Sequence, residues 1–175
     1  FRQQFAQQGG NGVLLVLVPR HPQRFNEVAK LVEQAGLRLQ RRSGGEAISG
    51  QTAVWLGDSM GEMAAYVAMC DLAFVGGSLL PLGGQNLIEV CAQGKPVLMG
   101  PSVFNFAEAA RLAGEAGALQ QAGDGDGVMK LAALLLGDEA RRTAMSLAAR
   151  KFADTHAGAS DRLFALVTHH LPDRR

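Results

Sequence analysis

Residues 13–18 (VLLVLV) form an apolar run closed by Pro19. The segment that Pro22 opens then places Phe25, Val28, Ala29, Leu31, Val32 and Ala35 at helical spacing before Gly36. An apolar run too short for a helix, followed by a helix-period segment with proline at its start and glycine at its end, reads as strand, loop, helix. The pattern recurs. Residues 37–41, 52–56, 72–75, 96–99 and 118–121 read as further strands and 60–70, 86–93 and 105–116 as helices; the rest is helical apart from breaks near Gly137 and Gly158. Repeated strand–helix units lead to a doubly wound parallel sheet, an α/β domain with helices on both faces and right-handed crossovers. The first run, apolar throughout, is expected to be a strand buried on both faces.

A chain of 175 residues suits one domain at roughly 100–200 residues per domain, and 47% apolar with 19% charged residues is the balance of an ordinary globular protein. Seventeen Lys and Arg against sixteen Asp and Glu leave a formal charge of +1, so no global field recommends nucleic acid as a partner, and an anion must be bound locally. Cys70 and Cys91 fit neither a disulfide framework nor a close metal-ligand spacing, which makes a reducing cytoplasm the default. The longest apolar runs, 13–18 and 131–136, fall short of the roughly 20 residues that cross a bilayer. Residue 1 is Phe, and residues 1–11 carry neither a basic leader nor an apolar signal core, so a piece of a longer protein is expected.

In such a sheet ligands bind outside the carboxyl ends of the strands. That selects the loops 19–22, 57–62, 76–86 and 100–105, after the first, third, fourth and fifth strands. The first holds Arg20 and His21 between two prolines. Arg20 can grip a phosphate with its planar fork, or be a plain surface residue beside a helix start. In the second, Ser59 and Glu62 have capping-box spacing, and Gly61 lets a ligand approach the helix N-terminus. The third, Gly76-Gly77-Ser78-Leu79-Leu80-Pro81-Leu82-Gly83-Gly84, carries two glycine pairs that permit close backbone approach. Asn86 and Glu89 again have capping-box spacing, while a first-turn carboxylate facing this loop could instead accept from both hydroxyls of a ribose. Residues 123–127 (GDGDG) lack the later ligands of a calcium loop and read as a turn. His156, His169 and His170 have no metal-ligand partner at a useful spacing and read as solvated. There is no Walker motif and no GxGxxG after the first strand, which weakens ATPase and ordinary dehydrogenase readings.

The ordered set VPRHPQRF, LGDSMGEM, DLAFVGGSL, GGQNLIEVCAQGKPVLMGP and NF resembles the C-terminal domain of 3-deoxy-D-manno-octulosonic acid (Kdo) transferases, from about residue 13 to the last helix. The resemblance implies a single Rossmann-like domain over residues 1–175, one half of a two-domain (GT-B) inverting glycosyltransferase. That enzyme would transfer Kdo from CMP-Kdo to a lipid A precursor in lipopolysaccharide synthesis. This half would hold the CMP-Kdo donor, through Pro19 and Arg20, through Gly61, Glu62 and Met63, and through Asn86, Leu87, Ile88 and Glu89, with Gly77 and Ser78 lining the same cleft. The catalytic base, the acceptor site and the membrane-associating surface would belong to an N-terminal domain absent from this chain. The domain alone is therefore expected to be soluble, to bind donor weakly and to catalyse nothing, the whole enzyme working at the cytoplasmic face of the bacterial inner membrane. Neither a metal nor another cofactor is expected. Two positions depart from the family pattern, with Gln85 where His is usual and Val90 where Pro is usual. Two alternatives stay open: half of a UDP-sugar transferase or epimerase of the same fold, and a non-catalytic sugar-nucleotide-binding module.

Overall fold

The computed structural model describes residues 12–156. Six short strands alternate with helices: β1 (Leu15–Leu17), α1 (Phe25–Gln34), β2 (Leu39–Arg41), β3 (Val54–Leu56), α2 (Met63–Met69), β4 (Ala73–Phe74), α3 (Ile88–Ala92), β5 (Val97–Met99), α4 (Ala107–Glu115), β6 (Leu119–Gln121), α5 (Gly125–Gly137) and α6 (Glu139–His156). Every ladder is parallel. The strands form two sheets, ordered β1-β3-β2 and β4-β5-β6, and no ladder joins β1 to β4 among the described residues. The register sets Leu15, Val16 and Leu17 beside Val54, Trp55 and Leu56, and Val97, Leu98 and Met99 beside Leu119, Gln120 and Gln121.

The period-2 alternation of β5 builds the core on both faces at once. Val97 and Met99 enter one buried cluster with Val90 and Cys91 of α3, Ala110 and Ala113 of α4, and Ala149, Phe152 and Ala153 of α6. Leu98 points the other way, into a second cluster with Val128, Ala132, Ala133 and Leu135 of α5 and with Met145. Helices thus cover both faces of the second sheet, as the doubly wound reading requires.

The strand buried on both faces is therefore β5 and not β1, whose three residues are all only half-buried. The reason is position: β1 is the edge of its sheet, whereas β5 is flanked on both sides. Two helices also begin later than their polar spacing predicts. Gly61 has φ +79°, outside the helical region, so α2 waits until Met63. Asn86 accepts the Ile88 N–H at 3.0 Å, a local turn that delays α3 to Ile88. The GDGDG stretch is a helix start, where Asp124 accepts the Gly127 N–H at 2.7 Å. His156 ends α6 exposed, its ring tilted against that of Phe152; Gly158, His169 and His170 lie outside the described residues. Among the described residues no helix is long and apolar enough to cross a membrane.

Candidate functional site

Because all strands run parallel, the loops after β1, β2, β3, β4 and β5 gather at one edge. There Val18, Pro19, Arg20, Ser59, Met60, Gly61, Glu62 and Met63 line an open cleft of about 130 Å³. Five residues marked from the sequence, Pro19, Arg20, Gly61, Glu62 and Met63, thus share one depression. A Cβ built on Gly61 would meet nothing within 4 Å, so this wall is open.

Arg20 is exposed, and its Nη1 donates to Oε1 of Gln85 at 2.7 Å, across a gap of 65 residues in sequence. That bond links the β1 loop to the loop carrying Asn86, Leu87, Ile88 and Glu89. Glu89 does not close a capping box: its Oε1 accepts from Nδ2 of Asn86 at 2.8 Å, and the exposed carboxylate keeps its other oxygen without a partner among the described residues. Ile88 is exposed, but Leu87 is fully buried among the helices, so only its backbone can meet a ligand.

Ser78 has a different place from the one its glycine-rich loop suggests. It is 0% exposed, and its hydroxyl donates to the Val75 carbonyl at 2.6 Å and accepts the Gly100 N–H at 2.8 Å. Both capacities are spent inside the protein, so Ser78 frames the loop and has no side-chain atom to offer a ligand. Gly77, with φ +72°, turns the chain so that its carbonyl accepts the Gly84 N–H at 3.0 Å and the Gly76 carbonyl accepts that of Gln85 at 3.1 Å. Gly83 is pinned from the next loop, donating to Ser102 Oγ at 3.0 Å and accepting the Asn105 N–H at 3.2 Å.

The charges are distributed unevenly. Arg42, directly after β2, donates to Glu62 Oε1 at 3.0 Å, and Ser59 donates its hydroxyl to the other oxygen of that carboxylate. Bonds from the Ser59 hydroxyl and then Arg42 hold the Glu62 carboxyl below its usual range. Ser59 is thus not a helix cap; it also lies 2.8 Å from the Tyr66 hydroxyl. Asp58 has a side chain only 4% exposed, accepts the Ser43 N–H at 2.8 Å and the Ser43 hydroxyl at 2.6 Å, and lies 3.6 Å from Arg41. Burial pushes its carboxyl up, but Ser43 and Arg41 outweigh burial and hold it below the ordinary value. Arg41 and Arg42 are therefore both neutralised. Arg20 enters none of the ion pairs among the described residues, and its partner is a neutral amide.

A carboxyl depressed on folding stabilises the protein above its unfolded pKa, near 3.9, and that contribution fades as pH falls through the lower folded value. Asp58→Asn should cost about 1.5–3 kcal/mol at pH 7, because an amide cannot accept both Ser43 bonds. The difference from the parent protein should shrink towards pH 3. Urea unfolding at both pH values checks this, and an equal loss at each would exclude the carboxylate as its source.

The loop after β2 escaped the sequence reading, although Arg41-Arg42 at a strand's carboxyl end was its signal. Among the described residues no group of three or more His, Cys, Asp or Glu side chains could hold a metal ion. Cys70 and Cys91 are free thiols, and burial pushes that of Cys91 up to about 11. With helices of seven and five residues behind them, the two glycine-rich turns offer little dipole, and among the described residues that line the cleft Arg20 is the one cation.

No family model matches the chain. It is 52% identical to the 3-deoxy-D-manno-octulosonic acid transferase of Bordetella pertussis over 85% of its own length and 35% of that protein's. It is 39% identical to the enzyme of the same name from Haemophilus influenzae, over 91% of its length and 38% of that protein's. The chain thus spans little more than a third of the curated relatives it matches. Among solved structures it resembles the C-terminal CMP-Kdo binding domain of WaaA from Acinetobacter baumannii, with a TM-score of 0.81 and 32% identity, over 86% of this chain and 80% of that one. On that identity and coverage, this chain belongs to the 3-deoxy-D-manno-octulosonic acid transferase family.

Proposed function

We propose that these residues are the donor-binding part of a Kdo transferase, the whole protein moving Kdo from CMP-Kdo to a lipid A precursor with inversion. The observation that carries the reading is Arg20: an exposed guanidinium on the cleft wall, held in place and in no ion pair among the described residues. Likeness to a domain described as CMP-Kdo binding supports the choice of ligand. In this reading Arg20 takes the CMP phosphate with two parallel N–H bonds. Open Gly61 lets the ligand lie against the backbone of Glu62 and Met63, and Pro19 stiffens the opposite wall. Glu89, with its free oxygen, accepts from the ribose, and Asn86 fixes its orientation. Leu87 and Ile88 contribute backbone and an apolar contact, and Gly77 gives the loop its turn. The catalytic base, the acceptor site and attachment to the cytoplasmic face of the inner membrane belong to the remainder of the protein, two thirds of the relatives' length.

CMP titrated into the protein should shift backbone amides around Arg20, Gly61 and Glu89, whereas UMP should do so only weakly. Arg20→Ala should weaken CMP by about 10- to 100-fold, the worth of hydrogen bonds to a charged group. Glu89→Ala should weaken it by about 10-fold. Equal response to UMP would redirect the reading to a UDP-sugar enzyme, and no shift at millimolar ligand would overturn it.

A further inference from the structure

We infer that Gln85 is a positioning residue for the donor phosphate: it holds the Arg20 guanidinium at the cleft while leaving its charge uncancelled. The inference rests on the reading of Arg20 just given. An arginine has donors and no acceptor, so the 2.7 Å contact forces the Gln85 amide to present its oxygen to Nη1. The amide nitrogen then points the other way, beside Gly77, where a Cβ would stand 3.4 Å from it. Gln85 is itself fixed from below, its backbone N–H donating to the Gly76 carbonyl at 3.1 Å. A rigid β4 loop thus aims a long, flexible side chain that has no other partner among the described residues.

The neutrality of the Gln85 amide matters as much as its grip. The neighbouring cations at this edge, Arg41 and Arg42, are held by carboxylates, Asp58 and Glu62. A carboxylate at position 85 would hold Arg20 as firmly but would compete with an incoming phosphate and repel it. An amide orients without competing. Ordering the guanidinium before the ligand arrives also lowers the entropy lost on binding.

The test is a double-mutant cycle with Arg20→Ala, Gln85→Ala, Gln85→Glu and Arg20→Ala/Gln85→Ala, using CMP and, as a ligand without phosphate, cytidine. Amide shifts report both affinities. Gln85→Ala should weaken CMP by about 3- to 10-fold and leave cytidine unchanged. Gln85→Glu, nearly isosteric, should weaken CMP more than Gln85→Ala. The double variant should bind CMP no more weakly than Arg20→Ala alone. Additive losses in the cycle, an equal loss for CMP and cytidine, or undiminished CMP affinity in Gln85→Glu would each overturn the positioning role. If Arg20→Ala weakens CMP while Gln85→Ala does not, the donor reading stands and this inference fails. If the parent protein binds no CMP, both fail.

Discussion

Gly100→Ala should lower stability by at least about 3 kcal/mol, at or beyond the upper end of the usual overpacking cost and a large part of the 5–15 kcal/mol that holds a domain together. Gly100 follows β5 directly, where a Cβ would lie 2.6 Å from the Ser78 carbonyl carbon, 2.8 Å from the Leu79 nitrogen, and closer still to the Ser78 carbonyl oxygen. These obstacles are backbone, and no rotamer change can clear them. The Gly100 N–H is bonded to Ser78 Oγ at 2.8 Å and its carbonyl to Gln121 Nε2 at 3.0 Å, so any relief by movement breaks bonds on both sides. Gly61→Ala is the matched control, because its Cβ meets open space and the cost is only that of a positive φ, about 1–2 kcal/mol. Urea unfolding of both variants separates the two causes. Equal losses would mean that crowding at Gly100 is relieved without cost.

Leu98→Ala should cost about 2–5 kcal/mol, the range for truncating a fully buried leucine. Leu98 is 0% exposed on the central strand of the second sheet, and it fills the space between β5 and α5 against Val128, Ala132 and Leu135, with Val13 and Leu72 at the margin. Three of its neighbours across that cluster are already small or rigidly placed: Ala132, Ala133 and Val128 cannot extend into the gap. The loss should therefore lie in the upper half of the range, measured by chemical denaturation. A loss below about 1 kcal/mol would show that α5 collapses onto the sheet and closes the cavity.

The order of elements was readable because hydrophobic period changes from strand to helix whatever the tertiary context, and all six strands lie inside their expected ranges, shortened where ladder bonds end. Burial was less readable. The run 13–18 is as apolar as 96–99, yet which of them sits at an edge is decided by strand order, and strand order is a long-range property. The same limit separates Arg20 from Gln85: each could be marked from its own motif, but not that they meet across 65 residues. Ser78 and Ser59 show the opposite error of local reasoning. In sequence both are polar residues in glycine-bearing turns, but one is turned inward to tie two strands together and the other serves a carboxylate and a tyrosine. Neither orientation has a sequence signature.

The break between β1 and β4 has a bearing on how the protein breathes. Of the strand residues in the first sheet only Val54 and Leu56 are buried, while nearly all of both apolar clusters comes from Val67 onward. The first sheet with α1 should therefore open as a unit of lower local stability, its amides exchanging with solvent through openings that leave the second sheet intact. The Arg20–Gln85 bond crosses from one unit to the other. A molecule bound across that crossing would couple their opening, so occupancy of the cleft would be felt as slowed exchange along β1, β2 and β3, beyond the loop residues it touches.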